Sequence, residues 1–204
     1  MTELDHAMSD LAFIHDRLAA STRFRGFAPI AVALTGAIAV ALAAAQAAWP
    51  DTFGGDGISF VEAWATAAAV AGAVIAVEAL GRAHRLHGRL ADRMMASTLR
   101  LLLPFVAAGV AVALIVAVHA PGTIWILPGL WQLLVALIGF SAVGTLPRAI
   151  VWPAGWYFAC GVVTLLLGAR AGVATPWMMG VPFGVGQLVS AAVLHQAGGD
   201  DGRR

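Results

Sequence analysis

Apolar residues run almost unbroken through six stretches of this chain, roughly 27–49, 60–80, 101–119, 126–145, 153–168 and 177–195, and turn-forming or charged residues gather between them. A hydrocarbon layer about 30 Å thick is crossed by roughly 20 helical residues. Backbone groups placed in lipid must be paired within their own segment, which a helix does and an open strand does not. The pattern therefore predicts an all-α polytopic membrane bundle of about six transmembrane helices. Trp49-Pro50-Asp51 and the glycines up to Gly57 end the first stretch, Pro121-Gly122 the third and Pro147-Arg148 the fourth. Ser59 and Glu62 have capping-box spacing at the start of the second. Every proline except Pro182 is expected near a span end, where its missing N–H does least harm.

Residues 1–26 follow a different rhythm. Leu4, Met8, Leu11 and Leu18 recur on one helical face, while Asp5, Asp10, Asp16 and Arg17 fall elsewhere. An N-terminal amphipathic helix lying on the membrane surface, or against a partner, is the expectation. No basic n-region precedes an apolar stretch there, so the segment does not read as a signal peptide. Three regions result: an interfacial segment at 1–26, a transmembrane bundle at 27–196 and a polar tail at 197–204.

Composition supports the reading. Of 204 residues, 60% are hydrophobic and 11% charged. Soluble chains carry about 45–50% apolar and about 25% charged residues, so this chain calls for a solvent other than water. All basic residues are arginine, which removes lysine-based chemistry such as a Schiff base. The lone cysteine, Cys160, lies in an apolar run and supports neither an intrachain disulfide nor a thiolate metal site.

Charge placement gives an orientation. With the N-terminus inside, the inner segments hold Arg17, Arg23, Arg25, Arg82, Arg85, Arg89, Arg93, Arg100, Arg148, Arg203 and Arg204, and the outer loops hold Arg170 alone. Basic residues favour the cytoplasmic side, so both termini are expected in the cytoplasm. Trp49, Trp64, Trp125, Trp131 and Trp177 then fall toward outer ends, and Trp152 and Trp156 toward inner ends, as an aromatic belt would.

No phosphate-binding loop, dinucleotide fingerprint, nucleophile elbow or zincin helix stands in the sequence, and nothing in it argues for an enzyme. Candidate chemistry reduces to isolated polar residues. Glu78 lies four residues before Arg82; it is either an intramembrane carboxylate on a pathway or half of a helical ion pair. Gln46, Glu62, Thr66, His119 and Gln132 fall at outer ends, where inward-facing side chains would line a small polar pocket. Gln187 lies at mid-depth of the last span, beside the Gly180-to-Gly184 spacing that signals close helix packing. His84 and His87 share a face but lack an obvious third ligand, so no metal site is assigned.

Arg82, Arg85, Arg89, Arg93 and Arg100 form the largest polar feature. They read as positive-inside charge on a helix extension, or as a docking surface for a cytosolic protein or for anionic lipid headgroups. Lipid phosphates compete for these side chains, which argues against nucleic acid. Spans three and six share a loose pattern, Leu103-Pro104-Phe105 leading to His119 and Val181-Pro182-Phe183 leading to His195. Three spans per half, inverted, would follow transporter logic.

The segments Leu146-Pro147-Arg148, Ala154-Gly155-Trp156-Tyr157, Thr175-Pro176-Trp177-Met178-Met179-Gly180 and Pro182-Phe183-Gly184-Val185-Gly186-Gln187-Leu188 resemble a group of small uncharacterised six-span bacterial membrane proteins, as does Ser21-Thr22-Arg23-Phe24. Their genes often sit beside a winged-helix regulator. The resemblance implies the bacterial cytoplasmic membrane and carries no catalytic residue with it. Three functions stay open. The chain is a non-enzymatic sensor or partner-binding component that signals through its inner basic surface. Alternatively it is a small transporter or channel with a polar path between three-helix halves, or a membrane subunit holding a cofactor that the sequence does not name. Membrane lipids, a cytosolic protein and a second copy of the chain are the expected partners.

The charge count predicts a labelling result. In a Cys160→Ala background, a cysteine replacing Ser97 reacts with a membrane-impermeant maleimide in inverted vesicles and is protected in intact cells. Labelling in intact cells would reverse the orientation.

Overall fold

The computed structural model describes residues 29–53, 57–87, 91–144 and 148–200. Among them are six long helices: α1 (Pro29–Ala48), α2 (Gly57–His87), α3 (Ala91–His119), α4 (Leu127–Ser141), α5 (Val151–Ala171) and α6 (Trp177–Asp200). Each contains, or forms with an adjoining 3-10 turn, a segment long and apolar enough to cross a membrane. No strand occurs among the described residues. The expected amphipathic helix at 1–26 lies outside them, as do Arg89, Arg203 and Arg204.

The connections are short. A single helical turn, Pro50–Phe53, follows α1. A 3-10 turn, Pro121–Ile126, leads straight into α4, with Pro128 in its opening turn. Helix α5 runs on to Ala171, past the expected end at Gly168. It stops where Gly172 takes φ +68°, a left-handed conformation that glycine adopts without steric cost, and returns its N–H to the Gly168 carbonyl at 2.7 Å.

Helix bounds and span bounds differ in three places. Helix α2 already includes Gly57, Ile58 and Ser59, so Ser59 is not its N-cap. Helices α2 and α3 both reach well into the basic segment, placing Arg82 and Arg85 on one and Arg93 and Arg100 on the other. Pro104 therefore falls in the interior of α3, although it stays near the start of that helix's apolar span, Leu99–His119. Helix α6 likewise continues into the expected polar tail, to Asp200. Helical hydrogen bonding carries on beyond the lipid, so hydropathy marks where the membrane ends and not where the helix does.

Two helix pairs touch most closely, α1 with α6 and α4 with α5. Both are antiparallel and both rest on small residues. On α1, Val32, Gly36, Ala39, Ala43 and Gln46 are buried, spaced three or four apart as one helical face requires. A Cβ on Gly180 would collide with Ala43, and one on Gly184 would lie 2.5 Å from Val40 Cγ2. In the other pair the closeness is reciprocal. A Cβ on Gly129 would lie 2.8 Å from the Gly161 carbonyl oxygen, and one on Gly161 would lie 3.0 Å from the Gly129 carbonyl oxygen. Each glycine turns a Cα–H toward the other backbone, a weak bond worth about 0.5–1 kcal/mol. Lipid tails are as apolar as leucine, so helices gain little by hiding leucines from them and more by close packing.

Large apolar side chains accordingly point outward. Ile30, Leu99, Leu103, Leu114, Ile115, Val118, Leu166 and Leu188 are exposed. In water this surface would forfeit about 25 cal/mol for every square ångström left unburied; in lipid it is the expected exterior. Large side chains do gather inside toward one end of the bundle, where Phe60, Trp64, Val116, Ile124, Leu127 and Met179 pack with Ala39 and Ala43. Helices α2 and α3 are about half as covered as the other four.

The pairing does not follow a three-plus-three repeat. Exchanging the first three helices for the last three would map α1–α6 onto α4–α3, and α4–α5 onto α1–α2. Neither image is one of the close pairs.

The glycine crossing sets a prediction. Gly161→Val destabilises the detergent-solubilised protein by about 1–3 kcal/mol, the usual cost of forcing extra carbon into a packed contact. A Cβ on Gly155 meets nothing within 4 Å, so Gly155→Ala leaves the thermal midpoint unchanged or raised. Equal loss in both variants would remove the crossing from its assigned role.

Candidate functional site

Proline at 182 dictates the chemistry of the bundle's interior. It has no N–H, so the carbonyl of Met178, four residues earlier, loses its helical donor. In lipid that loss has to be made good by another group. Gln132 of α4 does so: its Nε2 donates to the Met178 carbonyl at 2.6 Å. The same amide's Oε1 accepts from the Thr164 hydroxyl of α5 at 3.3 Å. Gln132 has no exposed surface, and Thr164 is 4% exposed. One side chain thus joins three helices.

The Pro182 carbonyl is used as well, accepting from Trp156 Nε1 of α5 at 2.9 Å. Helix α6 is therefore held on either side of its proline by side chains from two other helices. Toward the same end as Gln132, Trp64 Nε1 of α2 donates to Gln46 Oε1 of α1 at 2.9 Å, both groups buried. Trp131 Nε1 of α4 donates to the Gly109 carbonyl of α3 at 3.3 Å. The Thr35 and Ser190 hydroxyls donate to carbonyls of their own helices, Val32 at 2.7 Å and Gly186 at 2.8 Å.

The expected pathway residues separate on these coordinates. Gln46 and Gln132 are buried in two different interhelical bonds. Glu62, Thr66 and His119 are exposed, so these five do not close on a common pocket. Glu78 is half-buried near the C-terminal end of the apolar span of α2. Gln187 is half-buried, its Cβ set against Gly36 of α1. Arg100 is exposed. No group of three or more His, Cys, Asp or Glu side chains among the described residues is placed to hold a metal ion.

Three of the tryptophans placed at span ends face the bundle's interior. Trp49, Trp152 and Trp177 are exposed, as at an interface, but Trp64 is 4% exposed and Trp131 and Trp156 are half-buried donors. An indole N–H in an apolar setting needs an acceptor, and each of these three has one inside the bundle. The sequence reading did not single out Thr164, and it named Tyr157 only within a stretch of resemblance. A signal for the first link was present: a proline inside a span frees a carbonyl, and a buried amide on another span is the group to look for. Tyr157, 3% exposed, lies against Gly186 and is tilted 57° against Phe183 at 5.3 Å between ring centroids; its hydroxyl is buried without a hydrogen-bond partner.

Compensation at the proline is measurable by a double-mutant cycle. Gln132→Leu costs about 1–2 kcal/mol, because the Met178 carbonyl and the Thr164 hydroxyl both lose their partner. Pro182→Ala returns an N–H to the Met178 carbonyl, so the same leucine costs clearly less in that background. Strict additivity of the two changes in thermal unfolding would show that the amide does not stand in for the missing donor.

No family model, curated protein or solved structure matches this chain. Its own residues define it as a multi-pass membrane protein of six apolar helices, tied together by buried amide and indole hydrogen bonds.

Proposed function

We propose that this chain is a non-enzymatic component of the bacterial cytoplasmic membrane, with both termini in the cytoplasm. It senses a state of the bilayer or a small ligand and signals to a cytosolic protein through the arginine surface of Arg82, Arg85, Arg89, Arg93 and Arg100. The resemblance to small membrane proteins encoded beside a winged-helix regulator belongs to the same proposal.

The observation that carries this reading is the use of the buried polar side chains. Gln46, Gln132 and Thr164 are each spent on a bond to another helix. A transport route needs polar groups spread through the depth of the membrane that can exchange partners with a passing solute. Here the two buried amides sit toward one end, and each is already engaged. The basic segment between the apolar spans of α2 and α3 carries five arginines in sequence, and charge of this sign attracts acidic protein surface or anionic headgroups.

Two measurements test the proposal together. Purified protein in liposomes passes neither protons nor small ions above the protein-free rate. A photo-crosslinking residue replacing Leu86 captures one cytosolic polypeptide in living cells, and glutamines at Arg85, Arg89 and Arg93 reduce the capture severalfold. Ion flux abolished by Gln132→Leu would replace this reading with the transporter, and absence of any captured polypeptide would also defeat it.

A further inference from the structure

The two close pairs, α1 with α6 and α4 with α5, meet each other along a much narrower seam. Named contacts across it are few. Gln132 donates to the Met178 carbonyl, and Trp156 donates to the Pro182 carbonyl. The ring of Tyr157 rests on Gly186 and Phe183. Both seam bonds end on carbonyls beside the one proline inside α6.

Tyr157 is the anomaly. It is the chain's single tyrosine, 3% exposed, and its hydroxyl has no hydrogen-bond partner. A phenylalanine of the same shape would fill this space without the cost of an unpaired buried hydroxyl. An orphaned polar group in a native core marks stored strain or a functional role. Acceptors on the stretch of α6 that faces the ring are the Gly186 carbonyl and the Ser190 hydroxyl, which is bonded to it at 2.8 Å. The tyrosine ring already touches Gly186.

We propose that this seam is a joint with two registers. In the register seen, Gln132 and Trp156 hold the carbonyls at the proline, and the Tyr157 hydroxyl is unpaired. In the second, the α1–α6 pair shifts along α5 by less than one helical turn. The Tyr157 hydroxyl then donates to the Gly186 carbonyl or the Ser190 hydroxyl, and the Gln132 bond to Met178 and the Trp156 bond to Pro182 are both released. Two interhelical hydrogen bonds are exchanged for one, so the second register is the minor state, and removing either seam bond raises its population. Within each pair the glycine contacts stay intact, because reciprocal backbone contacts such as Gly129 with Gly161 do not tolerate sliding. The joint does not depend on what the protein signals, and it gives a membrane component a two-state element that a ligand or a bilayer property can bias.

The experiment measures the distance between nitroxides at Ala149→Cys and Gln196→Cys, both exposed positions toward the inner ends of α5 and α6. It uses the Cys160→Ala full chain in lipid nanodiscs, read by pulsed electron resonance. Gln132→Leu weakens only the register seen and raises the population of a second distance by about threefold to twentyfold, the span set by one intramembrane hydrogen bond. Trp156→Phe, which removes the other seam bond, produces the same second distance and serves where the leucine variant fails to fold. Adding Tyr157→Phe to either variant returns the distribution to a single distance. A folded seam variant with one distance identical to the parent overturns the proposal, and so does a second distance that survives Tyr157→Phe.

Discussion

A hydrogen-bonding group buried in hydrocarbon has no water to fall back on, and the interior of this protein is organised by that scarcity. The clearest case is the carbonyl of Met178. Pro182 deprives it of its helical donor, and a side chain from another helix takes the donor's place at 2.6 Å. Because Gln132 has a second polar end, satisfying one carbonyl also fixes Thr164 of α5. A local defect in one helix becomes a link among three. One turn further along, the Pro182 carbonyl, which the proline does not deprive of a donor, also accepts from Trp156.

Where polar groups are few, shape carries the association. Glycine and alanine let α1 approach α6 and let α4 approach α5 until backbones touch. Leucine, isoleucine and valine are left to the outside. A soluble bundle would reverse this, since its helices are driven together by hiding large apolar side chains from water. In lipid that drive disappears, and dispersion between closely fitted backbones together with weak Cα–H contacts takes over. Core packing by large side chains survives toward one end, around Phe60, Trp64, Leu127 and Met179, where several chain segments converge.

These two modes of association bear on function. The buried amides and indoles are structural fasteners, engaged with partners that the fold itself requires. Their engagement is the observation on which our proposal of a non-transporting membrane component rests. At the narrow seam between close pairs a change in packing costs less. Fewer contacts must be remade there than within either close pair, and the bonds that cross it end on a helix already interrupted by proline.

The sequence by itself determined the solvent, the number of spans and their approximate ends. Hydropathy over about 20 residues is a local property, and a helix closes its own hydrogen bonds whatever its neighbours do. The Gly180-to-Gly184 spacing likewise marked a close contact before any partner was known. What the sequence left open were matters of pairing. That Gln46 meets Trp64, that Gln132 reaches the Met178 carbonyl, and that Glu62 and His119 remain outside depend on how helices far apart in sequence are rotated and placed. That Trp64, Trp131 and Trp156 turn inward to find acceptors was hidden for the same reason. Depth along a span is set by residue number, but the direction a side chain faces is set by the neighbours the helix finds. Only the tertiary structure fixes those neighbours, because buried polar groups are satisfied across helices and not along them.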